Sequence, residues 1–275
     1  SKVVVTTAPF ADQNEFPLEM LKTNKIEFLI NPFKRKMSED EVLGFVKDAE
    51  VVIAGTEPLT KKVFRAATRL RHISRVGVGL DNVDLVEAEK RGVQVSYTPD
   101  APAPAVAELT IGLMITLLRK IHLSNSEMHS GRWQRYFGRR IAEVTIGIIG
   151  VGRIGSRVLR RTAAFGTPKL LVNDVLPNLE LNREFKLEWV SKNLIFQNAD
   201  VISLHVPLSC NTKNLMGEKE ISLMKSDACL INTSRGGVVN ETALYEALKS
   251  KKISGAAVDV FEKEPYQGPL QGLSN

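Results

Sequence analysis

Short β-branched runs bounded by turn residues recur along this chain, and amphipathic stretches lie between them. In the first part the pattern predicts strands over 2–6, 25–30, 51–54, 72–76 and 93–97, with helices over 38–47 and 61–67. A run rich in proline and alanine follows at 98–104 and reads as a hinge. The longest helical pattern occupies 105–121. A second series then predicts strands over 144–149, 169–173, 201–206, 228–233 and 254–260, again separated by helices. Strands apolar on both faces that alternate with helices imply parallel sheets covered on both sides. The expectation is two α/β domains, 1–101 and 102–275, with a ligand-binding cleft between them.

The sharpest local signal is Gly150-Val151-Gly152-Arg153-Ile154-Gly155, a G-x-G-x-x-G pattern. A predicted strand precedes it, and Ile154, Val158, Leu159 and Ala163 repeat at helical spacing after it. In that setting the first glycine allows a tight turn, the second lets the backbone approach a pyrophosphate, and the third lets helix and strand pack closely. The helix start then offers N–H groups to the anion. Asp174 ends the next strand, 19 residues past Gly155. A carboxylate there accepts from ribose hydroxyls and repels a 2′-phosphate, so NAD is the expected cofactor rather than NADP.

Composition narrows the class. Of 275 residues, 43% are hydrophobic and 25% charged, the balance of a globular protein. The longest apolar run, 109–118, is bounded by Glu108 and Arg119 and falls short of the roughly 20 residues that span a bilayer. The first residues are too β-branched and too short a run for a signal sequence. Two cysteines, Cys210 and Cys229, argue against a disulfide scaffold or a cysteine metal site, and a reducing, cytoplasmic location is expected. The net charge of +6 sits in short groups such as Lys34-Arg35-Lys36 and Arg160-Arg161, while aromatics make up only 6%. That favours solvated faces and a site for an acidic metabolite over nucleic acid.

Later segments carry a resemblance. Asn232-Thr233-Ser234-Arg235-Gly236-Gly237 with Val238-Val239-Asn240, then Asp259-Val260-Phe261-Glu262-Lys263-Glu264-Pro265, resemble signatures of the D-2-hydroxyacid dehydrogenase family. Arg75-Val76-Gly77-Val78-Gly79-Leu80-Asp81-Asn82-Val83-Asp84 and Val106-Ala107-Glu108 are similar to further segments of it, in the same order. Within the family the chain most resembles the phosphoglycerate dehydrogenase branch. The resemblance implies two Rossmann-like/flavodoxin-like domains, a substrate domain followed by an NAD-binding domain. It implies that Arg235 holds the substrate carboxylate and polarises the 2-oxo group, which suits a two-pronged guanidinium. It makes Glu264 the glutamate that orients a catalytic histidine. Val78 and Gly79 become loop amides meeting substrate or nicotinamide, and Arg75 a substrate-side residue. Arg153 and Ile154 face the pyrophosphate, and His205, Val206, Pro207, Thr233 and Ser234 line the nucleotide. Asp259 binds the nicotinamide carboxamide.

The chain also departs from the family pattern. The family carries its general-acid histidine in a T-P-H motif beyond the Asp259 segment, and none of His72, His122, His129 and His205 follows Thr-Pro. The expectation is that 1–275 is part of a longer protein, binding nucleotide but turning over little by itself. Phosphoglycerate enzymes tend to be basic after the third strand, where Ala54-Gly55-Thr56 stands, and favour asparagine at the hinge position of Pro102. A phosphate could instead meet Arg75, Arg132 or Arg135. Competing expectations are a glyoxylate, hydroxypyruvate or D-lactate type reductase, and a non-catalytic NAD(H) sensor. Leu109, Ile111, Leu113, Met114, Ile115, Leu117 and Leu118 make the long helix apolar around much of its circumference, which predicts burial, here in a homodimer of the nucleotide-binding domains.

Overall fold

The computed structural model describes residues 2–166 and 168–275. The chain divides into two compact units, Ser1–Pro102 and Ala103–Asn275. In the first, β1 (Val3–Val5), β2 (Phe28–Ile30), β3 (Val51–Ala54), β4 (His72–Arg75) and β5 (Gln94–Tyr97) form one parallel sheet in the order β2-β1-β3-β4-β5. Register explains its core: Val4, Val52, Ile73 and Val95 face one another along a single row across four strands. Val42, Val63, Phe64 and Ala88 from the covering helices pack with that row. Full burial of a valine, isoleucine or phenylalanine side chain contributes about 1.5–3 kcal/mol. The helix Glu39–Phe45 starts at Ser38, whose hydroxyl accepts from the Glu41 amide while Glu41 caps back, a capping box. The strand expected over 25–30 is shorter, because Lys25 takes a left-handed turn at φ 53°.

The second unit holds β6 (Thr145–Ile149), β7 (Lys169–Asn173), β8 (Leu187–Trp189), β9 (Val201–Leu204), β10 (Cys229–Asn232) and β11 (Gly255–Val258). Their order is β11-β10-β9-β6-β7-β8, all parallel, so the sheet reverses direction of growth between β6 and β9. This is the doubly wound dinucleotide order, and ligands bind at the carboxyl ends of the strands where the order reverses. The strands stop before their signature residues. His205–Pro207, Thr233–Arg235 and Asp259 therefore stand in loops beyond β9, β10 and β11, at that carboxyl edge.

The helix Ala103–Arg119 begins two residues earlier than the pattern predicts. Pro104 fits its first turn, where a missing N–H costs nothing. Ala107, Ile111, Met114 and Leu118 form its buried face and pack with Val158, Leu159, Ile146 and Ile231. Within a single chain the burial is one-sided: Leu109 is 41% exposed, and Leu113 and Ile115 are half-buried. Among the described residues, no helix is long and apolar enough to cross a membrane.

Candidate active site

Three strand ends assemble the glycine loop. The Gly150 amide donates to the Asn173 carbonyl (2.8 Å), and the His205 amide donates to the Ile149 carbonyl (2.8 Å), so Gly150 lies between the ends of β7 and β9. Its φ of 90° is left-handed, and a Cβ would come within 2.5 Å of the His205 carbonyl oxygen. A Cβ on Gly155 would overlap the Gly150 carbonyl oxygen, so the helix Arg153–Ala163 can pack this close only with glycine there. Gly152 differs. It caps that helix, and a Cβ on it would meet nothing within 4 Å. The first turn has no side-chain cap and no acidic residue, so Gly152 opens onto space in front of uncapped helix amides.

Asp174, just past β7, accepts from the Val151 amide at 2.6 Å and from the Leu176 amide at 3.0 Å. The sequence-predicted residues Gly150, Gly152, Arg153, Ile154, Gly155, Asp174, His205 and Val206 are thus brought together around the ends of β6, β7 and β9. His205 turns its ring inward. Nε2 pairs with Ser203 Oγ at 2.8 Å, Nδ1 is buried without a hydrogen-bond partner, and burial pushes the imidazole pKa down to about 3. It is a neutral structural histidine at physiological pH, unsuited to donate a proton.

A second cluster forms beyond β10 and β11. Asn232 builds the turn: its Oδ1 accepts from the amide (3.1 Å) and hydroxyl (2.7 Å) of Ser234, and its Nδ2 donates to the Arg235 carbonyl (3.0 Å). Arg235 Nη1 donates to the Ser234 carbonyl at 2.7 Å, which directs a half-buried guanidinium at the strand end. A Cβ on Gly236 would press on the 261–262 backbone, 2.5 Å from the Glu262 nitrogen, so the Glu264 loop lies directly against the arginine turn. Glu264 accepts from the Phe261 amide at 3.0 Å and is exposed, as is Asp259, whose amide donates to the Asn232 carbonyl. Thr233 Oγ1 lies 2.9 Å from Thr110 Oγ1.

In the first unit, Arg75 ends β4, is 6% exposed, and bonds Asn82 Oδ1 through Nε (3.4 Å) and the Val76 carbonyl through Nη1. Asn82 Nδ2 donates to the carbonyls of Gly55 (3.0 Å) and Glu57 (2.7 Å). Glu57, 1% exposed, accepts from the Gly55 amide (2.7 Å) and the Thr6 hydroxyl. Val78 and Gly79 follow in a half-buried loop. Sequence reasoning did not single out Glu57 or Thr110. A threonine among apolar positions of the long helix was the available sign of the latter; nothing local marks a glutamate after Thr56 as buried. Among the described residues no group of acidic, histidine and cysteine side chains could hold a metal.

The second unit fits a dinucleotide: an open cradle at Gly152, uncapped helix amides for a pyrophosphate, and a strand-end carboxylate for a ribose. Comparison with known proteins agrees. Residues 111–275 match the family described as D-isomer specific 2-hydroxyacid dehydrogenase, NAD binding domain. A D-3-phosphoglycerate dehydrogenase of Methanocaldococcus jannaschii is 40% identical over 87% of this chain and 46% of its own length. A hydroxypyruvate reductase of Thermotoga maritima is 36% identical over 83% of this chain and 74% of its own. The chain thus spans about half the length of the first of these relatives. Among solved structures, D-lactate dehydrogenase from Aquifex aeolicus, complexed with NAD and lactic acid, superposes with a TM-score of 0.84 at 31% identity, covering 96% of this chain and 78% of that one. The chain belongs to the D-isomer specific 2-hydroxyacid dehydrogenase family, and residues 111–275 are its NAD-binding domain.

Proposed function

We propose that this protein is an NAD-dependent oxidoreductase that moves a hydride between the nicotinamide and C2 of a D-2-hydroxy acid, of the phosphoglycerate dehydrogenase type. The observation that carries this is Arg235, set on a turn locked by Asn232 and Gly236 at the carboxyl edge of a dinucleotide-binding sheet. A fixed guanidinium there can pair with the carboxylate of a 2-oxo acid and withdraw charge from its 2-oxo oxygen. Bound NADH would supply the hydride; Gly150, Gly152, Arg153, Ile154, Gly155, Asp174, His205, Val206, Pro207, Thr233, Ser234 and Asp259 would hold it. By the family resemblance Glu264 would orient a general-acid histidine, a residue whose motif none of His72, His122, His129 and His205 matches. The first unit serves as the substrate domain, with Arg75, Val78 and Gly79 as its binding residues.

One observation favours a second reading within the same chemistry. The loop 55–60 beyond β3 carries the buried carboxylate of Glu57 and no basic residue of its own. That suits a small unphosphorylated acid such as glyoxylate or hydroxypyruvate. The kcat/KM ranking of 3-phosphohydroxypyruvate, hydroxypyruvate, glyoxylate and pyruvate, measured on the product of the natural gene, separates the two. A preference for the phosphorylated acid supports the first reading; its rejection supports the second. We further propose a cytoplasmic homodimer formed by the NAD-binding units, to which the exposed Leu109, Trp133 (76%) and Phe137 (98%) would contribute apolar surface.

A further inference from the structure

Thr110 sits midway along the helix Ala103–Arg119, fully buried on the face that carries Ala107 and Met114. Its hydroxyl makes two contacts, with the Val106 carbonyl at 2.8 Å and with Thr233 Oγ1 at 2.9 Å. The direction of each follows from proton count. A carbonyl only accepts, so the single Thr110 proton goes to Val106, and Thr233 must donate to Thr110. That uses the one proton Thr233 has. Its oxygen is left as an acceptor only, held in one rotamer by a buried partner on another element.

Thr233 follows β10 in the half of the sheet formed by β9, β10 and β11, whereas Asp174 marks the adenosine half at β7. In a two-half dinucleotide fold the nicotinamide lies over the former. We propose that Thr110 is a positioning residue for the nicotinamide half of the site: through Thr233 it presents a fixed acceptor to an N–H of the carboxamide. The proposal rests on the NAD-binding reading above. An acceptor of this kind suits an amide N–H and does nothing for a phosphate, so the contact discriminates between the ends of the cofactor.

The experiment measures NADH and ADP-ribose affinities by calorimetry for the parent chain, Thr110→Ser and Thr110→Val. ADP-ribose keeps the adenosine, the pyrophosphate and the second ribose and lacks the nicotinamide. Thr110→Ser retains the hydroxyl and should bind both ligands as the parent does. Thr110→Val should weaken NADH by about 3- to 10-fold, the range for one lost hydrogen bond, and leave ADP-ribose unchanged. Unchanged NADH affinity in Thr110→Val, or equal losses for both ligands, would overturn the proposal. Should Thr110→Val fail to fold, Thr110→Ala removes the same hydroxyl with a smaller side chain and must show the same NADH-selective loss. A parent that binds ADP-ribose and NADH equally also contradicts the proposal. A parent that binds neither contradicts the nucleotide reading itself.

Discussion

The amide of Val151, inside the glycine loop, donates to Asp174 Oδ2 at 2.6 Å. The carboxylate that should read the adenosine ribose is therefore also a brace for the loop that should hold the pyrophosphate. A carboxylate has about four lone-pair sites, and the Val151 and Leu176 amides take two, one on each oxygen. One site per oxygen remains for a ribose hydroxyl.

From this double role Asp174→Ala should weaken NADH binding by about 1 kcal/mol or more, through loss of charge-assisted hydrogen bonds. The parent should bind NADH well and NADPH poorly. Fluorescence titration with both nucleotides checks this; equal or tighter binding of NADPH would refute the assignment.

Gly152 and Gly155 should separate binding from stability. Gly155→Ala forces a methyl into the Gly150 carbonyl oxygen, and overpacking of this kind costs about 1–3 kcal/mol. Its Tm should fall with nucleotide absent. Gly152→Ala meets no protein atom within 4 Å, so its Tm should stay near the parent's while NADH affinity drops, because the methyl stands where the pyrophosphate must approach. Paired thermal melts and titrations decide it. An NADH affinity in Gly152→Ala equal to the parent's would mean that the pyrophosphate lies elsewhere.

His205 predicts an acid limb in stability. With its folded pKa pushed down to about 3 by burial, the unfolded chain binds the extra proton first. Its contribution is complete above the unfolded value of roughly 6.5 and is lost as pH falls from there towards about 3, at up to about 1.4 kcal/mol per pH unit. Urea unfolding across that window should give a shallower slope for His205→Gln than for the parent. Identical slopes would show that the imidazole protonates freely in the folded protein.

Much of this was legible in the sequence, for physical reasons that differ by element. Strands such as Val51–Ala54 and Lys169–Asn173 fall where the short apolar runs place them, because central strands covered by helices carry apolar residues at successive positions. Leu187–Trp189 was missed: three residues at a sheet edge, with Glu188 between Leu187 and Trp189, carry no periodic signal. The glycine loop was readable because close backbone approach leaves no substitute for glycine at positions 150 and 155. Thr110, Asn82 and Glu57 were not, since what makes them matter is a partner far along the chain: Thr110 meets Thr233, Asn82 meets Gly55 and Glu57, and Glu57 meets Thr6. The apolar circumference of the helix Ala103–Arg119 exceeds what one chain buries, as Leu109 shows.

Arg235 should matter to chemistry more than to nucleotide binding. Arg235→Lys keeps the charge but loses the planar fork, and should lower kcat/KM for the 2-oxo acid by roughly 10²-fold. NADH affinity should change little. A loss confined to NADH binding would remove Arg235 from the substrate site.

The most direct test of the whole account is to follow the hydride. The product of the natural gene would be given NADH carrying deuterium at both C4 positions together with hydroxypyruvate, 3-phosphohydroxypyruvate or glyoxylate, and the products analysed by NMR. The account predicts deuterium at C2 of the hydroxy acid formed, in the D configuration for glycerate and 3-phosphoglycerate, and none with Arg235→Ala. Tight NADH binding with no labelled hydroxy acid from any of the three would contradict it, and would make this protein a nucleotide-binding relative of the enzymes rather than one of them.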